Sequence, residues 1–271
     1  MPLAVCATPI GNLDDVTLRV VAELAAADVV LCEDTRHTRI LLDRHAIQVR
    51  ELVSYHRHNE ARRVGDLLPR LVAGERVALV SDAGLPGVRD PGARLVAEAI
   101  RAGVEVTVLP GPSAVETAVV ASGLAGDEYR FLGYLPRREV ELRRLWTELE
   151  TWPHPAVAFE SPRRLPASLA SLAAADARRP VAVCRELTKR FEEIVRGTAA
   201  EVATRFREPP RGEVTLVIGG AAPPVPGTDP EALATARAAV AELVAAGASR
   251  RTAAGVVARL TGQPRNALYD A

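Results

Sequence analysis

The 271-residue chain has little of what marks a membrane, secreted or metal-binding protein. Its three cysteines, Cys6, Cys32 and Cys184, are scattered in apolar strand-like runs, which indicates buried thiols in a reducing compartment and predicts neither disulfides nor a metal site. No apolar run reaches the roughly 18 residues that a membrane span requires. The N-terminus lacks the basic region of a signal peptide. We therefore expect a cytoplasmic protein with no membrane contact.

Lysine is almost absent as well, because Lys189 stands alone against 33 arginines. The formal net charge is zero, so the chain as a whole has no nucleic-acid signature. Thr8-Pro9-Ile10-Gly11-Asn12, after the first apolar run, lacks the glycines of a dinucleotide-binding fingerprint. Lys189 follows no glycine-rich turn, so a P-loop is absent too. Dinucleotide and P-loop enzymes are thus disfavoured.

What the chain does contain is a regular alternation of short apolar runs and amphipathic segments. The alternation predicts a first α/β domain, residues 1–112, with a mostly parallel sheet covered on both faces. Its strands are predicted at Leu3–Thr8, Val29–Cys32, Glu51–Ser54, Arg76–Ser81 and Val104–Leu109. Its helices are predicted at Thr17–Ala27, Thr35–His45, Asn59–Ala73 and Pro91–Ala102.

From Ser113 onward a second α/β domain, residues 113–220, is expected, beginning with a helix over Ser113–Ser122. Its strands lie close together in the chain, which favours a mixed sheet with antiparallel pairs. They are predicted at Ala156–Phe159, Val181–Cys184, Glu193–Arg196 and Val214–Ile218, with helices at Pro136–Glu150, Arg163–Ala174 and Thr198–Arg207. Residues 221–229 form a Pro/Gly-rich linker, and residues 230–271 a small helical tail with helices at Pro230–Ala246 and Ser249–Leu260 and a third from Arg265.

The strongest site signal is the loop from Ser81 to Gly92, where small and turn-forming residues surround Asp82 and Asp90. Ligands of open α/β sheets bind where strands end. Three loops, after Thr8, Val80 and Leu109, should converge into one cleft. Asp82 is placed to accept hydrogen bonds from a hydroxyl or ammonium group. Backbone amides near Ser113, with its hydroxyl, could hold a carboxylate or an adenosine moiety.

The ordered motifs resemble one family. They are Thr8-Pro9-Ile10-Gly11-Asn12-Leu13-Asp14-Asp15, Cys32-Glu33-Asp34-Thr35-Arg36, Ser54-Tyr55-His56 with Asn59-Glu60, Ser81-Asp82-Ala83-Gly84, Pro110-Gly111-Pro112-Ser113, Phe159-Glu160-Ser161-Pro162 and Cys184-Arg185-Glu186-Leu187-Thr188-Lys189. This set is similar to the 16S ribosomal RNA (cytidine-2′-O)-methyltransferases of the tetrapyrrole methylase superfamily. The resemblance spans about residues 4–219.

The resemblance implies two α/β domains with an S-adenosylmethionine cleft between them, and a homodimer. It implies methylation of the ribose 2′-hydroxyl of a decoding-centre cytidine of 16S rRNA in the small ribosomal subunit. By position, the residues lining the cofactor pocket would be Ile10, Asp82, Leu85, Ser113 and Ala114 from the first domain and Phe159, Leu187 and Gly212 from the second. Two alternatives stay open: a sister methyltransferase acting on a tetrapyrrole or a protein, and a non-catalytic ribosome-binding module.

A ribose hydroxyl is a poor nucleophile, so a proton acceptor should assist the transfer. The Lys-Asp-Lys-Glu arrangement of other 2′-O-methyltransferases needs two lysines and is excluded. The candidates are Asp34 or His37 as acceptor and Arg36 as a bidentate phosphate contact. The simpler interpretation of Glu33-Asp34 is a helix cap. Further RNA contacts are predicted at Arg163, Arg164 and Lys189. The alternative interpretation is that the two arginines are merely solvated and that Lys189 pairs with Glu192 or Glu193.

Overall fold

The computed structural model describes residues 2–87, 90–221 and 230–269. It divides into two compact units, residues 1–220 and 221–271. The first unit contains two five-stranded sheets, and the second is helical. The α/β class expected from the sequence is thereby confirmed.

The first sheet is parallel, with strand order β3-β2-β4-β1-β5. Its strands are β1 (Leu3–Cys6), β2 (Val29–Cys32), β3 (Leu52–Ser54), β4 (Val77–Leu79) and β5 (Val106–Leu109). The helices between and after them are α1 (Leu18–Ala26), α2 (Thr35–Arg44), α3 (Glu60–Val72) and α4 (Ala93–Arg101). Each lies where the alternation predicted a helix, with ends shifted by a few residues.

Both faces of this sheet are covered, which explains why its strands are continuous apolar runs. Along β1, Leu3 and Val5 pack into one core, while Ala4 and Cys6 pack into the core on the opposite face. This follows from the two-residue period of a strand. A 3₁₀ turn over Leu13–Asp15, which the sequence did not predict, follows β1.

The second sheet is mixed, with order β6-β7-β10-β8-β9. Its strands are β6 (Arg130–Tyr134), β7 (Ala156–Glu160), β8 (Pro180–Arg185), β9 (Glu193–Thr198) and β10 (Val214–Ile218). Only β6 and β7 are parallel, and the other neighbours are antiparallel. Its helices are α5 (Ala114–Ser122), α6 (Glu139–Glu150), α7 (Leu165–Ala175) and α8 (Ala199–Arg205). Strand β6 was not predicted, because its register shifts between Phe131 and Gly133 and breaks the alternation.

The helical unit consists of α9 (Pro230–Ala245), α10 (Arg250–Thr261) and α11 (Arg265–Tyr269) around a small core that includes Val240, Ala254 and Leu268. Gly262 adopts the left-handed conformation that ends α10. Most of the predicted linker, 222–229, lies outside the described residues. None of the helices in the described part of the chain combines the length and apolarity that crossing a bilayer demands.

Candidate functional site

The loops that follow β1, β4 and β5 meet at the carboxyl edge of the first sheet. Thr8 and Gly84 exchange two backbone hydrogen bonds, with N–O distances of 2.9 and 3.0 Å. The loop after β5 also approaches the end of β1, since a Cβ on Gly111 would lie 2.9 Å from the Cβ of Ala7. The three strands are neighbours in the sheet. The predicted convergence of the three loops is therefore present.

The loops after β1 and β4, together with helix α2, form one wall of a cavity of about 170 Å³. That wall includes Ile10, His37 and Asp82. The other wall carries Lys189 and Glu213, which come from loops of the second sheet. The cavity therefore lies between the two α/β halves of the first unit.

The two halves touch closely beside this cavity. A Cβ on Gly11 would lie 2.5 Å from Cγ of Lys189 and 2.7 Å from Oγ1 of Thr188, so only glycine fits there without movement. The amide of the neighbouring Asn12 donates to the Thr188 hydroxyl at 2.9 Å. Thr188 itself has φ +64° and Glu186 has φ +52°. Both values lie in the left-handed region of backbone conformation, where non-glycine residues are uncommon and concentrate at functional sites.

Lys189 is held between two carboxylates. Its Nζ lies 3.0 Å from Oε1 of Glu186 and 2.8 Å from Oε2 of Glu213. Burial by itself would lower the pKa of Lys189, but the hydrogen bonds to Glu213 and Glu186 outweigh it and raise this pKa. The ammonium group therefore stays charged at the cavity wall. Its partners are not Glu192 and Glu193, the pairing that the sequence left open.

The three candidate catalytic residues at the start of α2, Asp34, Arg36 and His37, differ in whether they reach the cavity. Asp34 caps the helix by accepting from the amide of Arg36 at 2.8 Å, and Nε and Nη2 of the Arg36 guanidinium bind both carboxylate oxygens. These hydrogen bonds, first of all those from the guanidinium, hold the pKa of Asp34 far below its usual range. The Arg36 side chain is 90% exposed. His37 alone of the three lines the cavity, with Nδ1 3.8 Å from Oδ1 of Asp82.

Carboxylates collect at the same edge of the sheet. Oδ1 of Asp82 accepts from the backbone amide of Asp34 at 3.1 Å. Burial, and then the nearby Asp82, raise the pKa of Glu33. Burial and the charge of Glu33 raise the pKa of Asp90 to about 6. Asp82, which lines the cavity, therefore has further carboxylates close to it, and their negative charge would favour a cationic ligand group.

The comparison with known families decides which family the chain belongs to. The profile of the Tetrapyrrole (Corrin/Porphyrin) Methylases matches residues 2–203. The chain belongs to this family. Relatives named Ribosomal RNA small subunit methyltransferase I resemble it over nearly its whole length. The protein from Micromonospora olivasterospora is 44% identical over 97% of this chain and 83% of its own. That from Mycobacterium tuberculosis is 44% identical over 98% of this chain and 92% of its own.

Solved structures share the fold of this chain at low sequence identity. One is the uroporphyrin-III C-methyltransferase from Thermus thermophilus complexed with S-adenyl homocysteine, with a TM-score of 0.55, 21% identity, and coverage of 80% of this chain and 96% of that one. Another is a cobalt precorrin-4 methyltransferase, with a TM-score of 0.59 and 21% identity over 80% of this chain and 94% of that one. The family resemblance drawn from the sequence motifs is confirmed.

The structure separates the predicted cofactor residues of this methylase into groups. Ile10 and Asp82 line the cavity. Three others join Ile10 in one apolar cluster, and they are Ala114, Phe159 and Leu187. Neither these three nor the remaining three line the cavity itself. Leu85 packs against the core of the first sheet, Ser113 caps α5, and Gly212 lies against Glu186, where a Cβ would clash.

The predicted RNA contacts also divide. Arg163 is exposed. Arg164 is instead bound to the buried Glu160, with Nη2 2.5 Å from Oε1, and it donates to the carbonyl oxygens of Leu135 and Pro136. Its guanidinium therefore holds loops of the fold together, so the structure gives no support for Arg164 as an RNA contact.

Some cavity residues received no role from the sequence. Thr38 and Leu41 of α2 line the cavity together with His37. The available signal was helical spacing, since residues three and four apart share one face of a helix. The close approach of Gly11 to the loop after β8 had no sequence signal, because it joins positions far apart in the chain.

Proposed function

We propose that this chain transfers a methyl group from S-adenosylmethionine to the ribose 2′-hydroxyl of a cytidine in the decoding centre of 16S rRNA, in the small ribosomal subunit. The single observation that carries the proposal is the cavity between the two α/β halves, with His37 beside Asp82 on one wall and Lys189 on the other. The choice of ribosomal RNA as substrate is supported by the shared name of relatives 44% identical over nearly the full chain.

The residues present suit S-adenosylmethionine, whose sulfonium and ammonium groups are both cationic. Asp82 offers a carboxylate from the first half of the cleft, and Ile10 adds an apolar contact. In the second half the carboxylate of Glu213 is already paired with Lys189. The cofactor, when bound, supplies an electrophilic methyl group, and the protein supplies orientation and proton removal.

His37 is the better placed of the two predicted proton acceptors. It lines the cavity, and Asp82 could orient its ring and stabilise the imidazolium that forms when it takes the hydroxyl proton. Asp34 is already bound by Arg36, and its lowered pKa makes its carboxylate a weak base. Arg36 uses only Nε and Nη2 for that pair, so Nη1 of the exposed guanidinium remains for an RNA phosphate.

The test is methyl transfer in vitro. Purified protein and labelled S-adenosylmethionine are incubated with small ribosomal subunits from a strain that lacks the enzyme, and the nucleosides are separated by mass spectrometry. We expect label in 2′-O-methylcytidine. Label in a base-methylated nucleoside contradicts the ribose assignment. Binding without any transfer would favour the non-catalytic module, and transfer to a porphyrinogen would favour the sister enzyme.

His37→Gln and Asp34→Asn test the acceptor as a pair. His37→Gln should lower kcat by roughly 10²-fold or more with cofactor affinity little changed. Asn is also a good N-cap, so Asp34→Asn keeps the helix start and should have a smaller effect. The reverse order of effects would assign the proton to Asp34.

A further inference from the structure

Two neighbouring loops of the second sheet carry the same tripeptide. Strands β6 and β7 are parallel, with Tyr134 opposite Phe159 in the register. Two residues beyond Tyr134 the chain continues Pro136-Arg137-Arg138, and two residues beyond Glu160 it continues Pro162-Arg163-Arg164. Because parallel strands end at the same edge of a sheet, the topology brings both Pro-Arg-Arg segments together.

One of the four arginines fixes the two loops to each other. Arg164 pairs with Glu160, whose side chain is fully buried, and reaches the carbonyl oxygens of Leu135 and Pro136 at 3.3 and 3.2 Å. The loop after β6 is therefore attached directly to the start of α7. The positions of the other three arginines are set by this anchored backbone.

Those three arginines, Arg137, Arg138 and Arg163, are exposed, and their side chains make no ion pair or hydrogen bond with any residue that the structure describes. Arg143 and Arg144, on the adjacent α6, differ in this respect. Arg143 pairs with Glu139 and Arg144 with Glu148, each one helical turn away. Three exposed arginines without such a partner thus lie in these two adjacent loops, beside a helix whose two arginines are each paired.

An aromatic residue ends the strand that leads into the first of these segments. Tyr134 ends β6 and is 59% exposed. Its ring packs edge-to-face on Phe159, with centroids 5.6 Å apart, and Phe159 in turn adjoins the apolar cluster that contains Ile10. An aromatic ring that is fixed by packing on one side and exposed on the other offers a face on which an unpaired base can stack.

We propose that Tyr134, Arg137, Arg138 and Arg163 form a binding surface for single-stranded RNA, here called the Pro-Arg-Arg surface. Tyr134 stacks on an unpaired base, and the arginines contact the phosphates that flank it. Single strands fit better than duplex, because a stacking side chain needs a base that is free of its neighbours. The inference rests on the proposed function, since it assumes an RNA substrate, and adds the part of the protein that holds it.

A triple variant of the surface and a double variant of the adjacent helix test the arginines. Arg137→Gln/Arg138→Gln/Arg163→Gln should weaken binding to small ribosomal subunits roughly tenfold or more at low salt, and should flatten the dependence of log affinity on log salt by about 2. Arg143→Gln/Arg144→Gln removes charge from the same region but should leave both nearly unchanged. Equal effects of the two variants per charge removed would overturn the proposal, because they would reflect net charge alone.

Tyr134 is tested by Tyr134→Ala against Tyr134→Phe. Loss of stacking should raise KM for the subunits roughly tenfold without lowering kcat, and phenylalanine, which keeps the ring, should restore KM. Calorimetry with S-adenosylmethionine should give wild-type affinity for every variant. A KM for Tyr134→Ala equal to that of the wild type would refute the stacking role.

The same data separate the two levels of inference. If the wild type transfers no methyl group to subunits, the proposed function fails, and the Pro-Arg-Arg surface fails with it. If the wild type methylates subunits and the triple variant does so with unchanged KM, only the surface is overturned. Reduced cofactor affinity in the triple variant would also count against it, since these residues would then act on the cleft.

Discussion

The close contact at Gly11 predicts that a single methyl group will disturb the cleft. In Gly11→Ala the new Cβ would lie 2.5 Å from Cγ of Lys189 and 2.8 Å from the backbone oxygen of Leu187. The lysine stem can move, but the backbone oxygen can move only if the loop shifts. Overpacking of this kind typically costs about 1–3 kcal/mol. Any separation also weakens the hydrogen bond from Asn12 to Thr188, worth about 1 kcal/mol.

We therefore expect Gly11→Ala to lower the free energy of unfolding by about 2 kcal/mol, or Tm by about 4–8 °C for a unit of this size. Because the contact borders the cavity, affinity for S-adenosylmethionine should fall as well. Thermal melts and calorimetry measure the two effects.

Gly65→Ala is the matched control. Gly65 lies inside α3, and a Cβ added there would have no neighbouring atom within 4 Å. Gly65→Ala should therefore raise the free energy of unfolding by about 0.5–1 kcal/mol and leave the affinity for S-adenosylmethionine unchanged. If Gly11→Ala melts and binds like the wild type, the two halves do not meet as closely as the structure has them, and the reasoning about the cleft is refuted.

Three further predictions follow from contacts described above. Arg164→Ala leaves the buried Glu160 without its cationic partner and should destabilise the fold by about 3 kcal/mol in urea titrations. Arg163→Ala should stay within about 0.5 kcal/mol, and similar values for both would contradict the anchoring role of Arg164. The pKa of Asp90 is raised from 3.8 to about 6, so its ionisation costs stability as the pH rises through that interval. Asp90→Asn should therefore be more stable than the wild type above neutral pH, but not at a pH below the ordinary pKa of a carboxyl group. A gain in the free energy of unfolding that does not vary with pH would show that the charge of Asp90 is not the cause. Truncation after Gly220 should leave the affinity for S-adenosylmethionine intact and weaken binding to small ribosomal subunits. The reason is that the helical unit has a groove lined by Arg251, Arg259 and Arg265. If binding to the subunits were unchanged, the helical unit would have a packing role only.

Most of the fold could be predicted because its signals are local. The apolar runs of β1, β2 and β4 are buried on both faces, so they stand out in the sequence. Strand β6 could not be found in this way. Gly133 has φ +71° at an irregular register, and Phe131, Leu132 and Tyr134 therefore do not alternate as an ordinary strand does.

The candidate site was predictable to the extent that it follows from topology. Asp82 and Ile10 were found because parallel strands end at one edge of a sheet. The division between Arg163 and Arg164 was beyond reach, since the two residues are identical neighbours and only the buried Glu160 distinguishes them. The left-handed backbone at Glu186 and Thr188 was equally hidden, because neither is a glycine and the contact that accompanies it comes from the loop after β1.

The position of Lys189 has a practical consequence for chemical labelling. Apart from the amino terminus, the chain offers one primary amine, and that amine lies in the wall of the cleft. Because the raised pKa of Lys189 disfavours the neutral amine, an amine-reactive ester has to be applied at alkaline pH. It would then place a tag or crosslinker at the amino terminus and at one known internal point, Lys189. Protection of that point by a bound molecule could be followed as one mass shift on the intact protein, without mutation.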